Sequence, residues 1–189
     1  MRNVKRSAFS GGVVLLLLLL SIVLGYISDQ ALGYLDRIRY PKPFSEEISY
    51  YSDQYELDEH IVYAMIRELS DFSSNRVSDD GRIGLMQLSR ETFLWLTEEH
   101  FAEDLDAGML YEPETNIRYG CCYLLYLTTR YDSWEMVYAA YLCGPETVDT
   151  WLSDASEGEF DEDIIRDQGV RKRVDKIQRA VDKYKKLYA

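Results

Sequence analysis

The chain has 189 residues, of which 47% are apolar, and carries 33 acidic against 21 basic side chains for a net charge of −12. That balance excludes nucleic acid as a partner, because phosphate binding needs clustered Lys and Arg. Once an N-terminal apolar segment is set aside, roughly 155 residues remain, enough for one domain with its own core and too few for two.

Arg2, Lys5 and Arg6 precede an apolar run from Gly11 to Tyr26 that includes Leu15 to Leu20 without interruption. Positive charge ahead of such a run keeps the N-terminus in the cytoplasm and sends the C-terminal remainder of the chain across the membrane. The run is short for a spanning helix, and Ala31, Leu32 and Leu35 can extend its amphipathic end. A cleaved signal peptide is the competing reading. No clear small-x-small cleavage site comes after the run, which favours an uncleaved anchor, and no Cys lies close enough behind it for a lipoprotein. Pro41 and Pro43 then punctuate a juxtamembrane stretch. The chain thus divides into a short cytoplasmic N-terminus (1–10), a transmembrane signal-anchor (11–27), a juxtamembrane linker (28–43) and an extracytoplasmic domain (44–189).

Within that domain the pattern is helical almost throughout. Asp58 is a good N-cap for a helix whose Ile61, Val62, Met65, Ile66 and Leu69 fall at the 3-and-4 spacing of one buried face. Ser73 to Gly81 is polar and ends in Gly, hence a loop. A helix should begin near Ser89 and carry Phe93, Trp95 and Leu96. Pro113 suits the first turn of the next, through Ile117, Gly120, Cys121 and Leu124 toward Leu127. Ser133 can cap a helix holding Trp134, Val137, Tyr138 and Tyr141, ended by Gly144 and Pro145. A final helix repeats Val170, Val174, Ile177, Val181, Tyr184 and Leu187. No stretch alternates like a strand, so the fold class is all-α.

Cys121, Cys122 and Cys143 have no metal-ligand spacing, and with two histidines in the chain no metal site is expected. Each cysteine reads as a small buried apolar residue, with a Cys122–Cys143 bridge as the alternative.

Three ordered blocks carry a resemblance. The first runs Ala64-Met65-Ile66-Arg67-Glu68-Leu69-Ser70-Asp71-Phe72, with Gly84-Leu85-Met86-Gln87-Leu88 after a loop. The second is Asn116-Ile117-Arg118-Tyr119-Gly120-Cys121-Cys122-Tyr123-Leu124. The third is Ala139-Ala140-Tyr141-Leu142-Cys143-Gly144-Pro145, with Val148 and Trp151 after it. Together they resemble the catalytic domain of soluble lytic transglycosylases, which implies a lysozyme-like fold of the goose type and glycan strands of peptidoglycan as partner. It implies no cofactor, and leaves room for cell-wall protein partners. In that family one Glu at the end of the first helix protonates the glycosidic oxygen. It then takes a proton from the 6-hydroxyl as a 1,6-anhydro ring closes, with no second carboxylate of the kind hydrolysing glycosidases use.

The family places that Glu fifteen positions ahead of the Gly of Gly-Leu-Met-Gln, and here that position is Leu69. Ser70 and Phe72 match their counterparts, while the nearby carboxylate, Glu68, is displaced by one residue. One step along a helix turns a side chain by about 100°, so residues 68 and 69 cannot enter one cleft without a slip or bulge. The plain reading is a cleft with no general acid, and Glu68 is retained as the displaced candidate. Leu142 also stands where the family has Asn, and Cys143 where it has Ala. Ser70, Met86, Gln87 and Tyr141 are the expected substrate-binding residues, with Tyr119 and Tyr123 as further candidates. Asp71, Asp79, Asp80 and Glu91 read as exposed or capping carboxylates.

Overall fold

The computed structural model describes residues 3–155 and 161–188, and divides at Pro41 into two units. The first is the helix α1 (Asn3–Arg39). Its segment Gly11–Arg39 reaches a mean hydropathy of 2.5, is not buried against protein, and is long and apolar enough to cross a membrane. The linker expected over 28–43 is therefore helical as far as Arg39. No proline intervenes before Pro41, the single Gly33 is tolerated within the helix, and proline disfavours helical backbone in the residue ahead of it.

The second unit is a helical bundle made of α2 (Ser45–Gln54), α3 (Glu59–Ser70), α4 (Arg90–Leu96), α5 (Pro113–Thr128), α6 (Trp134–Cys143), α7 (Pro145–Ser153), α8 (Asp161–Ile164) and α9 (Gln168–Tyr188). Single turns of π-helix (Thr97–Phe101) and 3-10 helix (Ala107–Tyr111) join α4 to α5. Local signals set the starts. Asp58, Ser89 and Ser133 accept from the backbone N–H groups of His60, Thr92 and Met136, while Pro113 and Pro145 open α5 and α7. Each supplies, or removes the need for, a partner to an orphan donor of the first turn. Only isolated bridges, Val77 to Ile83 and Ile83 to Leu88, occur among the described residues in place of strands.

Helix α3 is central, burying Ile61 through Ile66 together with Leu69 and Ser70, and packs most extensively on α9. Helix α9 answers with Val174, Ile177, Ala180, Val181 and Tyr184 on one face. Helices α5 and α6 are buried on most sides, and the tyrosines 63, 119, 138, 141 and 184 are fully enclosed. Those tyrosines supply core volume first, each ring removing a large apolar area from water. Helix α2, which no clear periodicity announces, anchors through Ile48 and Tyr51.

The loop between α3 and α4 positions the site. Asp71 and Phe72 take left-handed backbone and end α3. The chain then folds back on itself, with Gly84 N–H donating to Arg76 O at 2.9 Å and Ile83 pairing with Leu88 in both directions.

Candidate functional site

The Gly84–Leu88 turn is held from three sides. Asn116 of α5 accepts from Met86 N–H at 2.6 Å through Oδ1, and its Nδ2 donates to Ile83 O at 3.0 Å and Leu110 O at 2.8 Å. Tyr141 of α6 donates its hydroxyl to Met86 O at 2.8 Å. Gly84, at φ +83°, has no room for a side chain, since a Cβ would lie 2.1 Å from Asn116 Nδ2 and 2.3 Å from Leu110 O. Gly120 leaves the matching space for Met86, whose sulfur would sit 2.2 Å from a Cβ there. The three sequence blocks thus meet at one residue, Met86.

Beyond this turn lie two adjoining cavities that share Arg82 and Gln87 in their linings. The larger, about 490 Å³, has an aromatic wall of Trp95, Tyr123 and Tyr126, with Tyr141 behind it and Arg130 and Glu146 at its rim. Trp95 and Tyr126 meet edge to face at 4.8 Å, and Tyr123 lies between Tyr126 and Tyr141 at 6.2 and 5.2 Å. Burial pushes Tyr123 up to about 12 and Tyr141 well above the ordinary tyrosine value, so both rings present neutral hydroxyls at physiological pH. Arg130 is engaged by Asp149 and Tyr126. Glu91, at the other rim, is held below the usual carboxylate range by hydrogen bonds from its own backbone N–H and from Ser89, which makes it a capping group.

The smaller cavity, about 410 Å³, is lined by Glu68, Leu69, Arg76, Ser78, Asp80, Arg82, Gln87, Leu142 and two α9 cations. Gln87 adopts left-handed backbone at φ 51°, and its amide donates to Arg76 O at 3.0 Å and Gly84 O at 2.8 Å. Arg82 crosses to α6, donating from Nη1 to Tyr141 O at 2.9 Å and from Nη2 to Leu142 O at 3.1 Å, while Nε meets Asp80 at 3.0 Å. The Ser78 hydroxyl and then Arg82 hold Asp80 below the usual carboxylate range.

The expected site residues divide. Gln87 reaches both cavities and Tyr141 and Tyr123 the larger. Leu69 is 4% exposed and continues the buried stripe of α3. Glu68 also lines the smaller cavity, yet its carboxylate is taken up by Lys176 at 3.4 Å and Arg173 at 4.0 Å on α9. Three of the expected residues line neither cavity. Ser70 is buried and its hydroxyl is spent on Ile66 O at 3.1 Å. Met86 is fully enclosed against Gly120 and supports the turn from behind without facing either cavity. Tyr119 lies in the core between Phe93 and Phe101 at 4.5 and 4.4 Å. All three cysteines are free, so no bridge joins Cys122 to Cys143. Sequence reasoning missed Trp95 and Tyr126 as wall residues, though both sit on α4 and α5 positions that break the buried stripe. It also missed Arg82, whose role depends on a contact 59 residues away.

The domain is similar to known proteins in sequence and in fold. The family model described as "Transglycosylase SLT domain" matches residues 46–164. The soluble lytic murein transglycosylases of Salmonella typhimurium and Escherichia coli K12 are each 30% identical over 120 residues, covering 62% of this chain. The chain spans only 19% of the length of those relatives. Among solved structures, an inactive mutant of the lytic transglycosylase Slt from Pseudomonas aeruginosa superposes with a TM-score of 0.72 at 28% identity, over 80% of this chain and 25% of that one. The 70 kDa soluble lytic transglycosylase of Escherichia coli gives 0.74 at 25% identity, with the same coverage of each chain.

Proposed function

Since the chain belongs to the transglycosylase SLT domain family, we propose that it presents a lytic-transglycosylase-type groove that holds peptidoglycan glycan strands without cutting them. One observation carries the second half of this reading. The register of the family motif puts Leu69 at the general-acid position, and Leu69 is buried among the apolar residues of α3. A leucine can neither deliver a proton to the glycosidic oxygen nor accept one from the 6-hydroxyl. Leu142, in place of the family's Asn, removes a second polar group from the same wall.

What remains suits binding. The rings of Trp95, Tyr123 and Tyr126 offer flat apolar surface for pyranose faces, and polar groups of Gln87 and Arg82 stand at their edge. Flat apolar surface combined with a few fixed polar groups is the usual form of a ligand site. Helix α1 would hold the groove at the outer face of a membrane, with Arg2, Lys5 and Arg6 on the cytoplasmic side.

A second reading, cleavage through Glu68, draws on the presence of Glu68 beside Leu69 and Gln87 in the smaller cavity. Full-length protein in detergent micelles, incubated with purified sacculi, separates the two. The expected result is co-sedimentation of protein with sacculi and no anhydro-ended muropeptides by mass spectrometry. Anhydro products that disappear in Glu68→Gln would establish the enzymatic reading instead.

A further inference from the structure

The smaller cavity is charged in a way that the chain as a whole is not. Arg76, Arg82, Arg173 and Lys176 face it against two carboxylates, Glu68 and Asp80, in a chain of net charge −12. The pairing within it is uneven. Asp80 and the carbonyl oxygens of Tyr141 and Leu142 occupy Arg82. The single carboxylate of Glu68 is divided between Lys176 at 3.4 Å and Arg173 at 4.0 Å. Arg76 makes no side-chain hydrogen bond or ion pair among the described residues, and it lies close enough to Arg173 to repel it. Burial lowers the pKa of the half-buried Arg173, and repulsion from Arg82 and Arg76 works in the same direction against the pull of Glu68 and Asp80. Leu69 and Leu142 form an apolar part of the lining.

Four cations sharing two anions around one concavity leave about two positive charges uncompensated, and the low-dielectric wall behind them concentrates their field. Such an arrangement costs stability unless an anion enters it, and guanidinium forks match the two oxygens of a carboxylate or phosphate. We infer that this cavity binds a compact oxyanion, a carboxylate or a phosphate, with Arg76, Arg173 and Lys176 as its ligands and Arg82 as the brace that shapes the wall. The oxyanion has two possible sources: a free small anion, or a carboxylate on the peptide carried by a glycan strand lying in the adjoining aromatic groove. The second source rests on the glycan-binding reading and the first does not.

The test uses full-length protein in detergent micelles and isothermal titration calorimetry. Sodium phosphate is titrated at constant ionic strength set with sodium chloride. A disaccharide tetrapeptide is titrated in parallel, with its carboxylates free or amidated. Saturable binding of either phosphate or the free-carboxylate muropeptide is expected, weakened about tenfold by Arg76→Gln and by Arg173→Gln. Glu68→Gln removes the competing carboxylate and should tighten binding several-fold, which no merely unfolded variant could do. Lys186→Gln, an exposed α9 charge away from the cavity, should leave it unchanged. Two results overturn the inference: no saturable phosphate binding together with equal affinity for free and amidated muropeptide, or equal weakening by Lys186→Gln. Sacculus binding that persists beside such a result leaves the glycan reading standing, and phosphate binding without sacculus binding does the reverse.

Discussion

Asn116 accepts the backbone N–H of Met86 at 2.6 Å, and on the other side of the same residue Tyr141 donates to its carbonyl at 2.8 Å. Helices α5 and α6 thereby fix the one turn that carries Gln87 to the junction of the two cavities. The strained, left-handed backbone of Gln87 is tolerated because its neighbours are held so firmly.

Asn116→Ala should be severely destabilising. It strips the partners from the buried Met86 N–H and Leu110 O, and leaves Ile83 O with Leu88 N–H alone. Buried groups left without partners cost more than the hydrogen bonds themselves contribute, so a loss of about 3 kcal/mol is expected in urea unfolding. A loss under about 0.5 kcal/mol, the range of ordinary surface changes, would show that the amide is not the clamp.

Gly84→Ala and Gly120→Ala should differ although both positions are crowded. At Gly84 the new methyl meets a backbone carbonyl and an amide already bonded, on backbone at φ +83° that side chains rarely adopt. At Gly120 the backbone is ordinary helix, and the methyl meets the thioether of Met86, which can turn aside, and its Cβ at 2.8 Å, which must shift slightly. Thermal unfolding should therefore show the larger loss for Gly84→Ala, on the order of 3 kcal/mol against roughly 1–2 kcal/mol.

Much of this architecture is legible in the sequence for physical reasons. The caps Asp58, Ser89 and Ser133 act within three residues of themselves, so a local reading finds them. Leu69 continues the Ile61 and Met65 stripe, and the buried stripe is what α3 displays. Arg82 is illegible because its partners, Tyr141 O and Leu142 O, are 59 and 60 residues distant. Met86 and Ser70 read as substrate contacts in the sequence because motif membership does not separate residues that face a cavity from those packed behind it, Met86 in the turn and Ser70 in α3.

Asp58 links the start of α3 to α9 through Lys185 at 2.9 Å and also accepts from His60 N–H. Burial raises its pKa, but the bonds from Lys185 and His60 outweigh that and hold it below the usual carboxylate range. A depressed native pKa contributes stability that is present above the unfolded value, about 3.9, and is lost as pH falls through the native one. Asp58→Asn keeps a capping side chain and removes the charge. Its deficit should be about 0.5–1 kcal/mol at pH 7 and should shrink as the pH drops below about 4. A deficit that is constant from pH 7 to pH 2 would rule out the ion pair as its source.

Helix α1 is expected to span the membrane with its N-terminus inside. Protease added to intact spheroplasts should then digest the domain that begins at Lys42 and leave a small membrane-bound stub. A domain fully protected until the cells are lysed would reverse that topology.

The chemistry of the cleft turns on positions 68 and 69. Wild type should release no anhydro product, and Glu68→Gln should change nothing in that assay, because the carboxylate it removes is bound to Lys176 and Arg173. A positioned acid contributes about 10²- to 10⁴-fold to rate, so its introduction by Leu69→Glu should be detectable even if Leu142 keeps the gain small. The new carboxyl would be nearly enclosed, which disfavours its ionised form and raises its pKa above the unfolded value. Between the two values the native state binds the extra proton, so stability falls as pH rises through that window. Leu69→Glu should therefore melt close to Leu69→Gln at low pH and progressively below it toward neutrality, by about 2 kcal/mol. If the two variants instead melt in parallel at every pH, residue 69 is not enclosed. If Leu69→Glu shows the raised pKa yet yields no product with sacculi, the missing acid is not the only loss, and Leu142 becomes the next position to restore.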